Sequence, residues 1–91
     1  MGVLEELAEE LAGEVAVGRG FRANVHWGGR LKVSSAQVRV FLRRRGYELS
    51  PAWFNAFIKV FMNAMGRRGY VLVERRVGNR VVYVFERRPL E

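Results

Sequence analysis

Leu4, Leu7, Leu11 and Val15 recur every three or four residues at the start of the chain, and Glu5, Glu6, Glu9, Glu10 and Glu14 fill positions between them. That spacing places the apolar side chains on one face of a helix, so it predicts an amphipathic helix over 3–17, ended by Gly18 and Gly20. Phe21, Ala23, Val25 and Trp27 then alternate with Arg22, Asn24 and His26, which is a strand period. The stretch fits two readings. Either Gly28-Gly29 closes a two-residue hairpin onto Arg30–Val33, or a loop leads into a short strand at Leu31–Val33.

The pattern returns to helical spacing at Ser34. Ser34 stands three residues before Gln37, as in a capping box, and Val33 and Val38 flank it as a hydrophobic staple. The helix that follows should bury Val38, Phe41 and Leu42 and stop at Gly46, a residue at ease in the left-handed conformation. Arg43, Arg44 and Arg45 occupy its last turn, where the helix dipole favours cations. Ser50 and Pro51 then open a third helix as N-cap and first helical residue, with Leu49 and Phe54 as a second staple. Its wheel has two sides: Phe54, Phe57, Ile58, Phe61 and Met65 on one, Ala52, Asn55, Ala56, Lys59 and Asn63 on the other. Trp53 falls at the edge of the apolar side and is expected to pack in the core.

Gly66-Arg67-Arg68-Gly69 ends the third helix, and Tyr70–Arg76 and Val81–Arg87 read as strands joined at Gly78-Asn79. That turn predicts Arg76 opposite Val81, Leu72 opposite Phe85 and Val73 opposite Val84. The expected order is helix, short strand, helix, helix, strand, turn, strand, in one domain over 1–91 with no internal repeat.

Charge sharpens this outline. Residues 1–17 hold five Glu and no Lys or Arg, whereas residues 18–91 hold all 16 basic residues, 14 of them Arg, against four Glu. A basic body of net charge +7 favours a polyanionic partner. Arg, unlike Lys, grips phosphate in a planar fork and stacks on bases. An Arg-rich surface can also arise from a thermophile or a high-GC genome, but here the charges fall where a docking geometry needs them. Cysteine and aspartate are absent and there is one histidine, His26, so a Ser-His-Asp or Cys-His arrangement is unavailable and a metal site lacks ligands. The chain is not expected to be an enzyme or to need a cofactor. Gly18-Arg-Gly-Phe-Arg-Ala23 mimics a dinucleotide-binding glycine motif but lacks the strand before it and the helix after it. With no long uncharged apolar run and no basic leader, the expected location is the cytoplasm.

In three stretches, Leu31-Lys-Val-Ser-Ser-Ala-Gln-Val38, Leu49-Ser-Pro-Ala-Trp53 and Gly66-Arg-Arg-Gly-Tyr-Val-Leu-Val-Glu-Arg-Arg-Val-Gly-Asn-Arg80, the chain resembles the winged helix-turn-helix superfamily. The likeness spans roughly residues 30–88. It implies an α+β fold of three helices and a small antiparallel sheet ending in a wing hairpin. Members include bacterial and archaeal transcription regulators, chromatin proteins and protein-interaction modules. The resemblance implies double-stranded DNA as partner, with a nucleoid-associated location. Ala52, Asn55, Ala56, Lys59 and Asn63 would face the major groove, and Arg75, Arg76, Asn79 and Arg80 would follow phosphates or a minor groove from the wing. Arg43, Arg44, Arg45, Arg67 and Arg68, more cations than helix ends require, would clamp phosphates at the corners. Six to eight such contacts correspond to a salt slope of roughly −5 to −7 in log K against log[salt]. The same fold and charge also suit a protein-interaction module or an RNA-binding one. Trp53 and Trp27 have ring faces able to stack on unpaired bases. The acidic first helix either docks its leucines on the domain or pairs with a second copy as a homodimer seam.

Overall fold

A computed structural model describes residues 2–17 and 30–88. The elements run α1 (Val3–Val17), β1 (Arg30–Ser34), α2 (Ser35–Arg44), α3 (Pro51–Arg67), β2 (Tyr70–Val77) and β3 (Val81–Arg87). The strands form one antiparallel sheet in the order β1-β3-β2, so the last strand of the chain lies in the middle. The expectations for Gly18–Gly29, including the possible hairpin, His26, Trp27 and the glycine motif, lie outside the described residues. β1 itself pairs with β3, Leu31 opposite Phe85 and Val33 opposite Tyr83. No described helix is long and apolar enough to cross a membrane.

Local chemistry sets the helix boundaries. Ser34 Oγ accepts from the Gln37 amide at 3.2 Å while the Gln37 side chain accepts from the Ser34 amide at 2.8 Å, a reciprocal pair that fixes where α2 starts. Ser50 caps α3 with Pro51 in its first turn. Gly46 and Gly69 take positive φ, +84° and +87°, and let the chain leave α2 and α3 without the penalty a side chain would bring.

The core lies between α1, α3 and one face of the sheet. Leu7, Leu11 and Val15 of α1 are buried against Phe57, Phe61, Ala64 and Met65 of α3 and the β1 and β3 residues Leu31, Val33 and Phe85. The rings of Phe61 and Phe85 meet edge to face with centroids 5.7 Å apart, tying α3 to the hairpin. Leu7 and Leu11 of the α1 stripe are thus docked in the chain's own core, with Leu4 packed against it. No Cα atom of α2 lies within 8 Å of a Cα atom of α3. Their side chains meet instead: the Arg39 guanidinium sits 3.9 Å from the centre of the Phe54 ring.

Two expectations are corrected. The hairpin turn takes three residues, Gly78–Arg80, so β2 reaches Val77, which pairs with Val81, and Arg76 pairs with Val82 rather than Val81. Leu72 is opposite Phe85 as expected, but Glu74, not Val73, is opposite Val84. Val73 is the extra residue of a β-bulge, and the bulge absorbs the one-residue difference between the tip and the base of the hairpin. Second, Trp53 is not in the core. It is 60% exposed. It stands at the margin of the apolar side of α3, while Phe54 in the same turn is buried in the core.

Candidate nucleic-acid interface

The outer side of α3 is built as its sequence pattern requires. Ala52, Asn55, Lys59 and Asn63 are exposed and Ala56 is half-buried, while Phe54, Phe57, Ile58, Phe61 and Met65 are buried on the opposite side. The two ends of this face differ in their surroundings. Asn63 lines a groove between α1 and α3 together with Glu5, Glu9, Val60 and Arg67. Carboxylates therefore border the C-terminal end of the face, whereas Asn55 and Lys59 stand clear of that groove.

The five corner arginines separate into two groups. Arg45 donates from Nε to Glu10 and from Nη2 to Glu14, each at 2.9 Å, and its guanidinium stacks 3.8 Å from the Phe41 ring centre. The hydrogen bonds to Glu10, with its charge and that of Glu14, raise the Arg45 pKa above the ordinary guanidinium value. Arg67 is ion-paired with Glu9. Arg68 also reaches Glu9, donating to its backbone oxygen at 3.4 Å and lying 3.7 Å from its carboxylate. A Cβ at Gly13 would come within 3.3 Å of the Arg68 guanidinium, so the glycine leaves room for that group over α1. These three arginines, expected as phosphate clamps, bind the acidic helix to the ends of α2 and α3. Arg43 and Arg44 are exposed and make no side-chain hydrogen bond or ion pair among the described residues.

The β-bulge sorts the wing arginines. With Val73 as the extra residue, Arg75 is opposite Tyr83, on the sheet face that carries the helices, and Arg76 is opposite Val82 on the other face. Arg76 is ion-paired with Glu74 there, and that hydrogen bond holds the Glu74 carboxyl below its ordinary pKa, assisted by the charges of Arg30 and Lys32. Arg30 in turn bridges to Glu86 at 3.2 Å. Asn79 and Arg80 stand exposed in the turn, and Arg75 and Arg80 have no ion-pair partner among the described residues.

Arg30 and Lys32 are not among the residues expected from the sequence, although their alternation with buried Leu31 and Val33 places both on the outer sheet face. Nor is Arg39, which lines a pocket between α2 and α3 with Arg43, Tyr47, Leu49 and Phe54. Its only sequence signal was a basic residue next to the apolar Val38 and Val40 on a helix. Among the described residues, no cluster of His, Cys, Asp and Glu could hold a metal ion. Arg43, Arg44, Lys59, Arg75 and Arg80 are the cations of the expected interface that no described acidic side chain neutralises. The chain matches no protein-family model, no curated protein and no solved structure.

Proposed function

We propose that this chain is a winged-helix domain that binds duplex DNA, as a transcription regulator or a nucleoid-associated factor. The observation that carries the reading is the set of cations left without acidic partners: Arg43 and Arg44 at the end of α2, Lys59 on the outer face of α3, and Arg75 and Arg80 on the hairpin. The element order and the β1-β3-β2 sheet agree with such a domain. In it α3 enters the major groove with Asn55 and Lys59 at base edges and phosphates, and the hairpin follows the adjacent backbone. The glutamates of α1 repel phosphate and keep that helix on the far side.

Five unpaired cations set a phosphate count below the one implied by all the arginines together. Log K against log[salt] should fall with a slope of about −4. A fluorescence-anisotropy titration on a duplex at several salt concentrations measures it, and a slope shallower than about −2 removes the proposal. A protein-interaction role is the second reading, favoured by Val71, Leu72, Val73 and Val77, all exposed on the edge strand β2. It predicts no DNA binding at physiological salt. An RNA duplex competing better than DNA in the same titration would reassign the surface to RNA.

A further inference from the structure

Two arginines among the described residues lie flat on phenylalanine rings: Arg45 on Phe41, and Arg39 of α2 on Phe54 of α3. Stacking occupies the face of a guanidinium and leaves its N–H donors pointing outward in the plane. In Arg45 those donors meet the carboxylates of Glu10 and Glu14. In Arg39 they meet no acidic or hydrogen-bonding group among the described residues, although the side chain is half-buried and the ring beneath it is buried. A guanidinium held in place by a ring, with its fork free of protein partners, is suited to an oxyanion.

The neighbours of Arg39 carry the same chemistry. It shares the pocket between α2 and α3 with Arg43, Tyr47 and Glu48. Arg43 stands one helical turn further along α2, so two like charges repel across one side of the helix. Glu48 lines the same pocket but is ion-paired with neither arginine, and the Tyr47 hydroxyl has no hydrogen bond among the described residues. The pocket thus holds two positive charges against one negative, with a hydroxyl donor between the helices. Its volume, open mouth included, is about 260 Å³, below the range of about 300 Å³ and more that encloses a whole drug-sized ligand. Charge and size together suit one tetrahedral anionic group, with oxygens enough for two forks and a hydroxyl.

We propose that the pocket between α2 and α3 is a phosphate site. Arg39 and Arg43 grip the oxygens of one phosphate group, and the Tyr47 hydroxyl donates to another of its oxygens. Neither Arg39 nor Tyr47 belongs to the DNA-binding set above, so the site goes beyond that reading. The group arrives either as a backbone phosphate of DNA or on a free phosphorylated compound.

The first arm of the test adds inorganic phosphate to the full chain, with chloride at equal ionic strength as the control. In proton–nitrogen NMR spectra the Nε–H signals of Arg39 and Arg43 should shift together and saturate, while that of Arg45 stays in place. Arg39→Gln or Arg43→Gln should weaken phosphate binding about tenfold and Tyr47→Phe about threefold. Glu48→Gln should tighten it by about two- to threefold. Arg43→Gln and Tyr47→Phe, both at exposed positions, carry the test if Arg39→Gln, which loses its stacking on Phe54, is unfolded by circular dichroism. Shifts no larger than with chloride, or phosphate binding unchanged in the variants, overturn the site. The second arm measures duplex DNA by fluorescence anisotropy. A salt slope flattened by about 1 in Arg39→Gln assigns the phosphate to DNA. Inorganic phosphate bound in the pocket, with duplex affinity unmoved by Arg39→Gln, assigns it to a free phosphorylated compound. Duplex binding without a phosphate-specific shift removes the pocket alone, and a phosphate-specific shift in a protein that binds no duplex removes the DNA reading alone.

Discussion

Two sets of arginines in this molecule have the same chemistry and opposite surroundings. On the α1 side, Arg45, Arg67 and Arg68 meet Glu9, Glu10 and Glu14 and join three helices. On the hairpin and at the end of α2, Arg43, Arg44, Arg75 and Arg80 meet no acidic group among the described residues. A count of arginines therefore overstates the charge available to a partner. What matters is which guanidinium groups the fold has left unneutralised, and the acidic helix settles that for one end of the molecule.

The comparison breaks if the two sets respond alike to mutation. The largest effect is expected from replacing Arg75, Arg76 and Arg80 together with Ala. Losing the two free cations Arg75 and Arg80 together with the paired Arg76 should reduce DNA affinity about 30-fold or more, equally for all sequences, and flatten the salt slope by about 2. Thermal unfolding should hardly move. Unchanged affinity would show that the hairpin is not a contact surface.

Arg45→Ala tests the other set. It removes two part-exposed ion pairs and the stacking on Phe41, and should cost about 1 kcal/mol of stability in a urea titration. DNA affinity should stay within about twofold of the unchanged protein. A tenfold loss of affinity would place Arg45 at the interface and erase the distinction. Replacing Glu9 by Gln works in the reverse direction: it frees Arg67 and Arg68, with a small loss of stability. If α1 faces away from DNA, affinity should rise by less than about twofold.

Glu74 sits on the hairpin but opposes its charge. Glu74→Gln should release Arg76 and strengthen DNA binding by about two- to threefold at low salt. The pH dependence follows from the lowered Glu74 pKa. The pair's contribution is complete above the ordinary carboxylate range and is lost only as the pH falls through the lowered, folded-state value. Between pH 8 and pH 5 Glu74 therefore remains charged. Any gain in DNA affinity over that interval, measured on Glu74→Gln as well, must come from another group.

Much of the architecture was legible because it is encoded locally. The capping box at Ser34 and Gln37, the Ser50-Pro51 start of α3 and the glycines at 46 and 69 fix helix ends through neighbours a few residues away. The two-sided pattern of α3 likewise foretold which residues are buried. The hairpin register was legible only at its base, where Leu72 meets Phe85. The tip differed because a three-residue turn and a bulge at Val73 are nearly equivalent in local preference to a two-residue turn without one. Trp53 stands at the margin of the apolar side of α3, where a helical wheel does not decide between core and solvent.

The amino-acid sequence by itself determined the three helices, where they end, and the division of charge between an acidic first helix and a basic remainder, because these depend on spacing and composition. The tertiary structure alone decided which arginines α1 neutralises, which face of the sheet each wing arginine takes and how far Trp53 projects. Each of these rests on groups brought together from distant parts of the chain, Glu9 with Arg67 or Glu10 with Arg45, or on a single-residue shift that turns side chains to the opposite face.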